Sequence, residues 1–206
     1  MPLVYSCYKG VNADVVAAAA KLHIRPGDIV ADVTYGRGKF WDKTDMFRVT
    51  LLRSDVDNGL NSAIVSQADF RDLPYADSSL DGLFLDPPYR HRSGDASVVE
   101  GRYGLTHSPV THEGVVRLYG LGLIEAARVL RKGGRIFVKC QDETTGRQLK
   151  LTHVEIIQLM QVYGYTVVDL FVLMQQSAPP PSGAREDNQV TARKNHSYLI
   201  VGRLRR

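Results

Sequence analysis

The 206-residue sequence has only two cysteines, and this scarcity excludes several classes of protein. Cys7 and Cys140 are too few for a disulfide framework, and their separation matches no metal-ligand spacing. The six histidines are scattered along the chain rather than clustered with cysteines or acids, so we expect no metal site. Two isolated cysteines are compatible with a reducing compartment, and we expect a cytoplasmic protein.

Long apolar segments are missing as well. No run reaches the ~18 apolar residues that a membrane-spanning helix needs, and the first ten residues lack the layout of a signal peptide. The 44% of hydrophobic and 23% of charged residues are typical of a globular domain. Because the chain has no internal repeat and no clear domain boundary, we expect one domain over residues 1–206. The net charge of +4 does not separate a polyanion-binding surface from a solvated basic tail.

Helix-like and strand-like segments alternate along the chain, which predicts a parallel sheet with helices on both faces. The predicted helices are 12–22, 40–46, 113–130 and 153–163. The predicted strands are 29–32, 49–55, 80–85, 136–140, 165–174 and 197–203. No helix separates the last two strands, so we expect them to form an antiparallel hairpin at one edge of the sheet.

Acidic residues stand where these strands end. Asp32, Asp55 and Asp86 each follow a predicted strand, and Asp69 follows a shorter apolar piece. In open α/β sheets ligands bind beyond the carboxyl ends of the strands, so we expect the four acids to share one crevice. A single acid could equally be a helix cap or a surface charge, but a series of acids at successive strand ends favours a ligand site.

A glycine-bearing turn follows the first of these acids. Gly36 and Gly38 allow a sharp turn that passes close to a ligand, although such turns also serve only to pack a helix on a sheet. Asp55 lies 19 residues after Gly36, where an acid can hold two ribose hydroxyls. Trp41 stands where a dinucleotide fingerprint has its third glycine, so an adenosine ligand without pyrophosphate suits the turn better. Asp69 and Phe70 are then placed to accept from the adenine amino group and to flank its ring.

The most informative segment is the tetrapeptide Asp86-Pro87-Pro88-Tyr89. Two consecutive prolines restrict the backbone, which then presents a carboxylate, a carbonyl and an aromatic ring from a stiff support. Such a clamp can accept two hydrogen bonds from a planar amino group while the ring stacks on the base that carries it. By itself, the tetrapeptide could also be a proline turn that ends a strand.

Together these motifs resemble the S-adenosylmethionine-dependent methyltransferases that modify exocyclic amino groups of bases in DNA, at adenine N6 or cytosine N4. Residues 32–38 resemble the family's D-x-F-x-G-x-G cofactor turn, and residues 86–89 its D/S/N-P-P-Y/F/W catalytic motif. Residues 9–28 resemble the helix before the cofactor strand, and 193–201 the last strand of small DNA methylases. Thr34 and Arg37 depart from the family pattern, where Phe and a small residue are usual.

The resemblance implies a Rossmann-like class I methyltransferase fold, with a mostly parallel seven-stranded sheet and an antiparallel edge hairpin. It implies S-adenosylmethionine as the cofactor, DNA as the partner, and Asp86, Pro87, Pro88 and Tyr89 as the catalytic residues. The expected cofactor-binding residues are Lys9, Asp32, Thr34, Tyr35, Gly36, Gly38, Asp55, Asp69 and Phe70. From composition and proximity, the expected phosphate contacts are Arg90, Arg92, Arg185, Arg193 and Lys194, although each is equally suited to a solvated surface.

Several alternatives remain open at this stage. Asp at the first clamp position favours adenine N6 over cytosine N4, and an RNA methyltransferase acting on adenine N6 or guanine N2 would use a similar clamp. A catalytically silent methyltransferase-like subunit is the non-enzymatic alternative. The large target-recognition region of sequence-specific methylases is missing, and only the loops 90–112 and 175–195 could replace it. The protein would therefore recognise a short DNA sequence, or it would recognise a longer one as a homodimer or together with a partner protein.

Overall fold

The computed structural model describes residues 3–45, 49–57, 63–88, 109, 111–145, 148–175, 192 and 194–205. The helices in this part of the chain are α1 (Asn12–His23), α2 (His112–Val129) and α3 (Thr152–Val162). The strands are β1 (Cys7–Gly10), β2 (Ile29–Asp32), β3 (Thr50–Asp55), β4 (Ser66–Gln67), β5 (Leu80–Leu85), β6 (Leu130–Cys140), β7 (Glu143–Thr145), β8 (Gln148–Lys150), β9 (Tyr165–Gln175) and β10 (His196–Leu204).

Eight strands form one sheet in the order β1-β9-β10-β6-β5-β2-β3-β4. Neighbouring strands are parallel except where β10 pairs with β9 and with β6. The predicted α/β fold with an antiparallel hairpin is thereby confirmed. Because β10 runs against β6, its first residues lie at the edge where β2, β3, β5 and β6 end. The strand ends that carry Asp32, Asp55 and Asp86 lie along this common edge, which we call the carboxyl edge.

The sheet has one strand more than the seven predicted. β1 pairs in parallel with β9 from Cys7↔Val172 to Gly10↔Gln175, so it covers the outer side of the hairpin. The sequence pattern did not reveal this strand because four residues of mixed polarity show no clear alternation. Beyond β6, the strands β7 and β8 form a separate two-stranded hairpin that the sequence pattern did not predict either.

The helix predicted over 40–46 is wrong in type and length. A 3₁₀-helix covers Lys39–Trp41 instead. The backbone N–H of Trp41 donates to the Gly38 carbonyl and that of Thr44 to the Trp41 carbonyl, which are bonds of the tighter three-residue repeat. The segment is therefore compact, and it places the Trp41 side chain against the end of β2.

The core lies on both faces of the sheet. Leu83, Leu85 and Val138 face α2 and α3, while Phe84 and Phe137 face α1. The rings of Phe84 and Phe137 are stacked, with centroids 4.1 Å apart and an interplanar angle of 3°. This alternation of side chains along β5 and β6 fixes which later residues share a face. In the described part of the chain, no helix has both the length and the apolar content that crossing a membrane would take.

Candidate active site

The glycine turn follows β2 directly and is tied to the neighbouring strand. The backbone N–H of Tyr35 donates to the Ser54 carbonyl at 3.1 Å. Gly36 and Gly38 adopt φ angles of +50° and +71°, which side chains with a Cβ atom rarely tolerate. A Cβ atom at position 38 would also lie 2.5 Å from the Tyr35 hydroxyl, whereas one at position 36 would meet nothing within 4 Å. The turn therefore needs glycine at 38 and leaves open space beside 36.

Asp32, the last residue of β2, is buried beneath this turn. Its Oδ2 accepts from the Trp41 indole N–H at 2.7 Å, and its Oδ1 accepts from the Thr34 backbone N–H at 3.2 Å. Burial raises the pKa of Asp32 to about 7, the two donors oppose that rise, and the charges of Asp86 and Asp55 add to it. The carboxylate therefore shapes the turn from inside rather than facing solvent.

Asp55, the last residue of β3, is bound to the same turn. Its Oδ2 accepts from the Gly36 backbone N–H at 2.8 Å and its Oδ1 from the Asp57 backbone N–H at 3.0 Å. Each carboxylate oxygen can accept a further hydrogen bond. The half-buried side chain is thus fixed at the rim of the glycine turn with acceptor capacity remaining.

Asp69 and Phe70, predicted to flank an adenine, have close contacts of their own. The Asp69 carboxylate binds the Arg71 guanidinium, whose Nε lies 2.9 Å from Oδ1 and 3.0 Å from Oδ2. The Phe70 ring is buried against Gly122 of α2, where an added Cβ atom would come within 3.0 Å of the ring. An adenine amino group would therefore share Asp69 with Arg71, and the ring of Phe70 packs in the core.

The proline clamp begins where β5 ends and is bound to the glycine turn. The Asp86 backbone N–H donates to Thr34 Oγ1 at 2.8 Å. Asp86 Oδ1 is shielded from solvent and has no hydrogen-bond partner among the described residues. Buried polar atoms are nearly always paired, so an orphaned carboxylate oxygen marks an acceptor that a ligand would satisfy. Pro87 beside it is buried and Pro88 is half-buried.

The pKa of Asp86 follows from this environment. Burial raises it to about 6, and the positive charge of Lys139 acts in the opposite direction. Lys139 belongs to β6 and is itself 3% exposed. The sequence prediction missed Lys139, although a lysine within the apolar run Ile136–Cys140 is a signal in itself, because charged residues are rarely buried without a partner.

The remaining predicted residues lie farther out or outside the described part. Lys9 is exposed at the carboxyl edge on β1. This strand is the outermost one on one side of the strand order, whereas β3 lies near the other end. Lys194 is half-buried, and its Nζ donates to the Ala192 carbonyl at 2.8 Å. The predicted residues outside the described part are Tyr89, Arg90, Arg92, Arg185 and Arg193.

A network of histidines and carboxylates, which the sequence did not reveal, occupies the other half of the carboxyl edge. We call His112, Glu143, Glu155, Asp142 and His153 the histidine network. His112 Nδ1 lies 2.7 Å from Glu143 Oε1, and its Nε2 lies 2.9 Å from Glu155 Oε1. Burial disfavours a charge on His112, but the hydrogen bonds to Glu155 and Glu143 outweigh it and raise its pKa. The network thus ties the start of α2 to β7 and α3.

Its second part anchors the start of β10. His153 Nδ1 lies 2.7 Å from Asp142 Oδ1, and Asp142 Oδ2 accepts from the Tyr198 hydroxyl at 3.3 Å. The rings of His153 and Tyr198 are stacked with centroids 4.1 Å apart. The polar side chains of this second part are therefore hydrogen-bonded to one another.

Comparison with known proteins supports the fold at this point. No protein-family model matches the chain, and no curated protein matches it significantly. Among solved structures, TrmN from Thermus thermophilus superposes with a TM-score of 0.55 at 17% identity, covering 93% of this chain and 48% of TrmN. The chain thus spans about half the length of that relative.

Two further structures match over most of both chains. One is a Haloferax volcanii protein regarded as a methyltransferase, solved in complex with the Trm112 methyltransferase activator (TM-score 0.57, 16% identity, covering 94% of each chain). The other is the 1,6-didemethyltoxoflavin-N1-methyltransferase of Burkholderia thailandensis, solved with bound S-adenosylhomocysteine (TM-score 0.54, 18% identity, covering 95% of this chain and 79% of the other). At such identities the likeness shows the methyltransferase fold and leaves the substrate open.

Proposed function

We propose that this protein transfers a methyl group from S-adenosylmethionine to the exocyclic amino group of a nucleobase, with adenine N6 in DNA as the substrate. The observation that carries the proposal is Asp86 Oδ1, a buried carboxylate oxygen beside two prolines at the carboxyl edge, which has no hydrogen-bond partner among the described residues. An N–H group of an incoming amine is the kind of ligand that such an acceptor lacks.

The residues around the glycine turn fit the proposed cofactor. Open space lies beside Gly36, and Asp55 at its rim retains acceptor capacity for two ribose hydroxyls. Asp69 would accept from the adenine amino group while it keeps its contact with Arg71. Lys9, Asp32, Thr34, Tyr35, Gly38 and Phe70 complete the proposed site, either by forming the turn or by supporting it. When bound, S-adenosylmethionine supplies an electrophilic methyl group on a sulfonium centre.

The protein's part in the reaction is to position the target nitrogen. Asp86 accepts one N–H of the amino group and the Pro87 carbonyl accepts the other, which directs the nitrogen lone pair along a fixed line. Fixing the reacting atoms in this way can lower a barrier by about 7–11 kcal/mol in favourable cases. Because the pKa of Asp86 is about 6, the carboxylate is ionised at neutral pH.

The choice of substrate rests on the clamp and on the residues near it. An Asp at the first clamp position favours adenine N6 over cytosine N4. Tyr89 would stack on the target base, and stacking of this kind is worth roughly 1–3 kcal/mol per base. A base in duplex DNA would have to be flipped out first. The phosphate contacts would come from Arg90, Arg92, Arg185, Arg193 and Lys194.

We propose a single methyltransferase domain in which the loops 90–112 and 175–195 would face the substrate, an arrangement that leaves little surface for reading a long site. We therefore propose that the protein reads a short sequence, or that a second copy or a partner protein extends its recognition surface. The Haloferax volcanii structure contains a methyltransferase activator and so provides an example of a partner on this fold.

The experiment that tests this function measures methyl transfer from labelled S-adenosylmethionine to duplex DNA, single-stranded DNA and total RNA. Digestion to nucleosides identifies the product. We expect N6-methyladenine from DNA with the wild-type protein and none with Asp86→Ala. Asp77→Ala is the matched control, because Asp77 is an exposed carboxylate that precedes β5 at the opposite edge of the sheet.

The other outcomes distinguish the alternatives. Label in RNA would overturn DNA as the substrate, while the proposed role of the clamp in holding an amino group would stand. N4-methylcytosine would overturn adenine. Binding of the cofactor without transfer to any nucleic acid would identify a silent domain or one that needs its partner. Equal activity in Asp86→Ala and wild type would overturn the role of the clamp.

A further inference from the structure

Lys139 is a buried charge that the proposed reaction has not yet used. Its side chain is 3% exposed in the middle of the sheet, between β5 and β10. An ammonium group removed from water is costly unless a negative charge compensates for it. Its neighbours on the same face of the sheet, Phe137 and Leu199, are apolar and belong to the core.

The register of the sheet places Lys139 beside Asp86. Phe84 pairs with Phe137 and Leu85 with Val138 in the parallel ladder between β5 and β6. Side chains alternate between the two faces of a strand, and the stacked rings of Phe84 and Phe137 share the face that carries α1. Asp86 and Lys139 stand two residues farther along their strands, so both belong to that same face at the carboxyl edge.

Apart from Lys139, the groups around Asp86 in the described part of the chain do not supply a positive charge. Asp32 approaches from β2 and is another carboxylate, and Asp55 acts on Asp32 from β3. Thr34 contributes a neutral hydroxyl to the Asp86 backbone. From β6, burial raises the pKa of the Cys140 thiol, which therefore stays neutral. Asp32 is buried and Asp86 Oδ1 is shielded from solvent, so their mutual repulsion would favour protonation of one of the two acids if no cation were present.

The coupling between Lys139 and Asp86 is reciprocal. Burial lowers the pKa of Lys139, and the Asp86 charge raises it. Burial raises the pKa of Asp86, and the Lys139 charge lowers it. Each group therefore favours the charged form of the other in a place where burial alone would neutralise both.

We propose that Lys139 is a positioning residue for methyl transfer: its buried ammonium is the counter-ion of Asp86 and presents that residue to the target amino group as a carboxylate. The role rests on the proposed function, because an ionised acceptor matters only if an amine is held there. Lys139 does not touch the substrate; it acts through Asp86.

Titration of Asp86 tests the coupling without any need for activity. The carboxyl carbon resonances of aspartate-labelled protein are followed with pH, and spectra of Asp86→Asn and Asp32→Asn assign the two buried acids. In Lys139→Met we expect the pKa of Asp86 to rise by about one unit or more relative to wild type. Lys139→Arg keeps the charge and restores most of the wild-type value. Lys132→Met, an exposed lysine of the same strand, leaves it unchanged.

Kinetics then test the consequence for the reaction. We expect the methyl-transfer rate of Lys139→Met to fall by at least about twofold at neutral pH, and to return to the wild-type rate as the pH is raised above the new pKa of Asp86. A variant whose defect is only structural would not recover with pH. In an Asp86→Asn background, residue 86 carries no charge. There, Lys139→Met should leave the pH dependence of the methyl-transfer rate unchanged.

The two proposals can fail separately. An Asp86 pKa that does not change in Lys139→Met overturns the role of Lys139, whatever the activity of the wild-type protein. If the pKa of Asp86 rises in Lys139→Met but the wild-type protein transfers no methyl group, the proposed function is overturned and the role of Lys139 as counter-ion of Asp86 is retained. If Lys139→Met does not fold, the same titration of Asp86 in Lys139→Gln decides the test.

Discussion

The two halves of the carboxyl edge use their acidic residues in opposite ways. Near the glycine turn, Asp32 and Asp55 accept from backbone and indole N–H groups, and Asp86 keeps one oxygen without a partner among the described residues. In the histidine network, Asp142 and Glu143 are instead paired with histidine rings. Neutral donors bring no charge of their own, whereas a protonated histidine cancels the charge of the acid that it contacts. The first half can therefore still receive a ligand, and the second half holds the chain segments that surround it.

The largest expected effect comes from the unpaired oxygen. Asp86→Ala should lower kcat/KM for methyl transfer by about 10²–10³-fold or more, because a positioned polar group in a water-excluded site is worth that much. Its thermal unfolding temperature should fall below the wild-type value, since the buried ammonium of Lys139 loses its counter-ion. Initial rates and circular dichroism melting measure the two quantities. A rate within a factor of ten of wild type would place the reactive site elsewhere.

A second substitution tests whether the glycine turn is as constrained as its geometry indicates. Gly38→Ala should lower the free energy of unfolding by about 1–2 kcal/mol for the positive φ alone, and further because the new Cβ meets Tyr35. Gly133→Ala is the control, since Gly133 also has a positive φ, +80°, but open space around its Cβ position. Urea unfolding of both variants separates the two costs. Equal losses would show that Tyr35 moves aside.

The histidine network should respond to pH in the direction that its pairing requires. The pKa of His112 is raised in the folded protein, so its contribution to stability is fully present below the unfolded pKa of about 6.5 and is lost as pH rises through the folded pKa. His112→Gln should cost about 1–3 kcal/mol at pH 6 and flatten this dependence. Urea unfolding at a series of pH values measures it.

The same variant shows whether the two halves are separable. The methyl-transfer rate per folded molecule of His112→Gln should stay close to that of wild type, because the network pairs its charges within itself. A loss as large as that of Asp86→Ala would contradict the division between a ligand-binding half and a supporting half.

The smallest effect is expected at Asp69. Its ion pair with Arg71 is partly exposed, so Arg71→Met should change the free energy of unfolding by less than about 1 kcal/mol. If Asp69 accepts from the cofactor's adenine, removing its competitor should tighten binding of S-adenosylhomocysteine, and Asp69→Asn should weaken it. Isothermal titration calorimetry measures both affinities. Weaker binding in Arg71→Met would show that Arg71 itself contacts the ligand.

The features that the sequence could predict are those with a periodic or positional signal. Alternating apolar patterns identified the main strands and helices, and acids at the strand ends identified the carboxyl edge. Pairings between distant segments have no such signal. Asp86 meets Thr34 across 52 positions, and His112 meets Glu143 across 31. Lys139 could be noticed as a charge in an apolar strand, but its partner follows only from the register of β5 and β6.

The hydrogen bond from the Asp86 backbone to Thr34 Oγ1 has a thermodynamic consequence. It joins Thr34 of the glycine turn to Asp86, the first residue of the clamp, so ordering one of these segments restricts the other. A ligand that fixes the turn would then pay part of the entropy of ordering the clamp, and a ligand in the clamp would do the same for the turn by an equal factor. On the proposed function, the hydroxyl at position 34 would thereby couple ligand binding at the turn to ligand binding at the clamp.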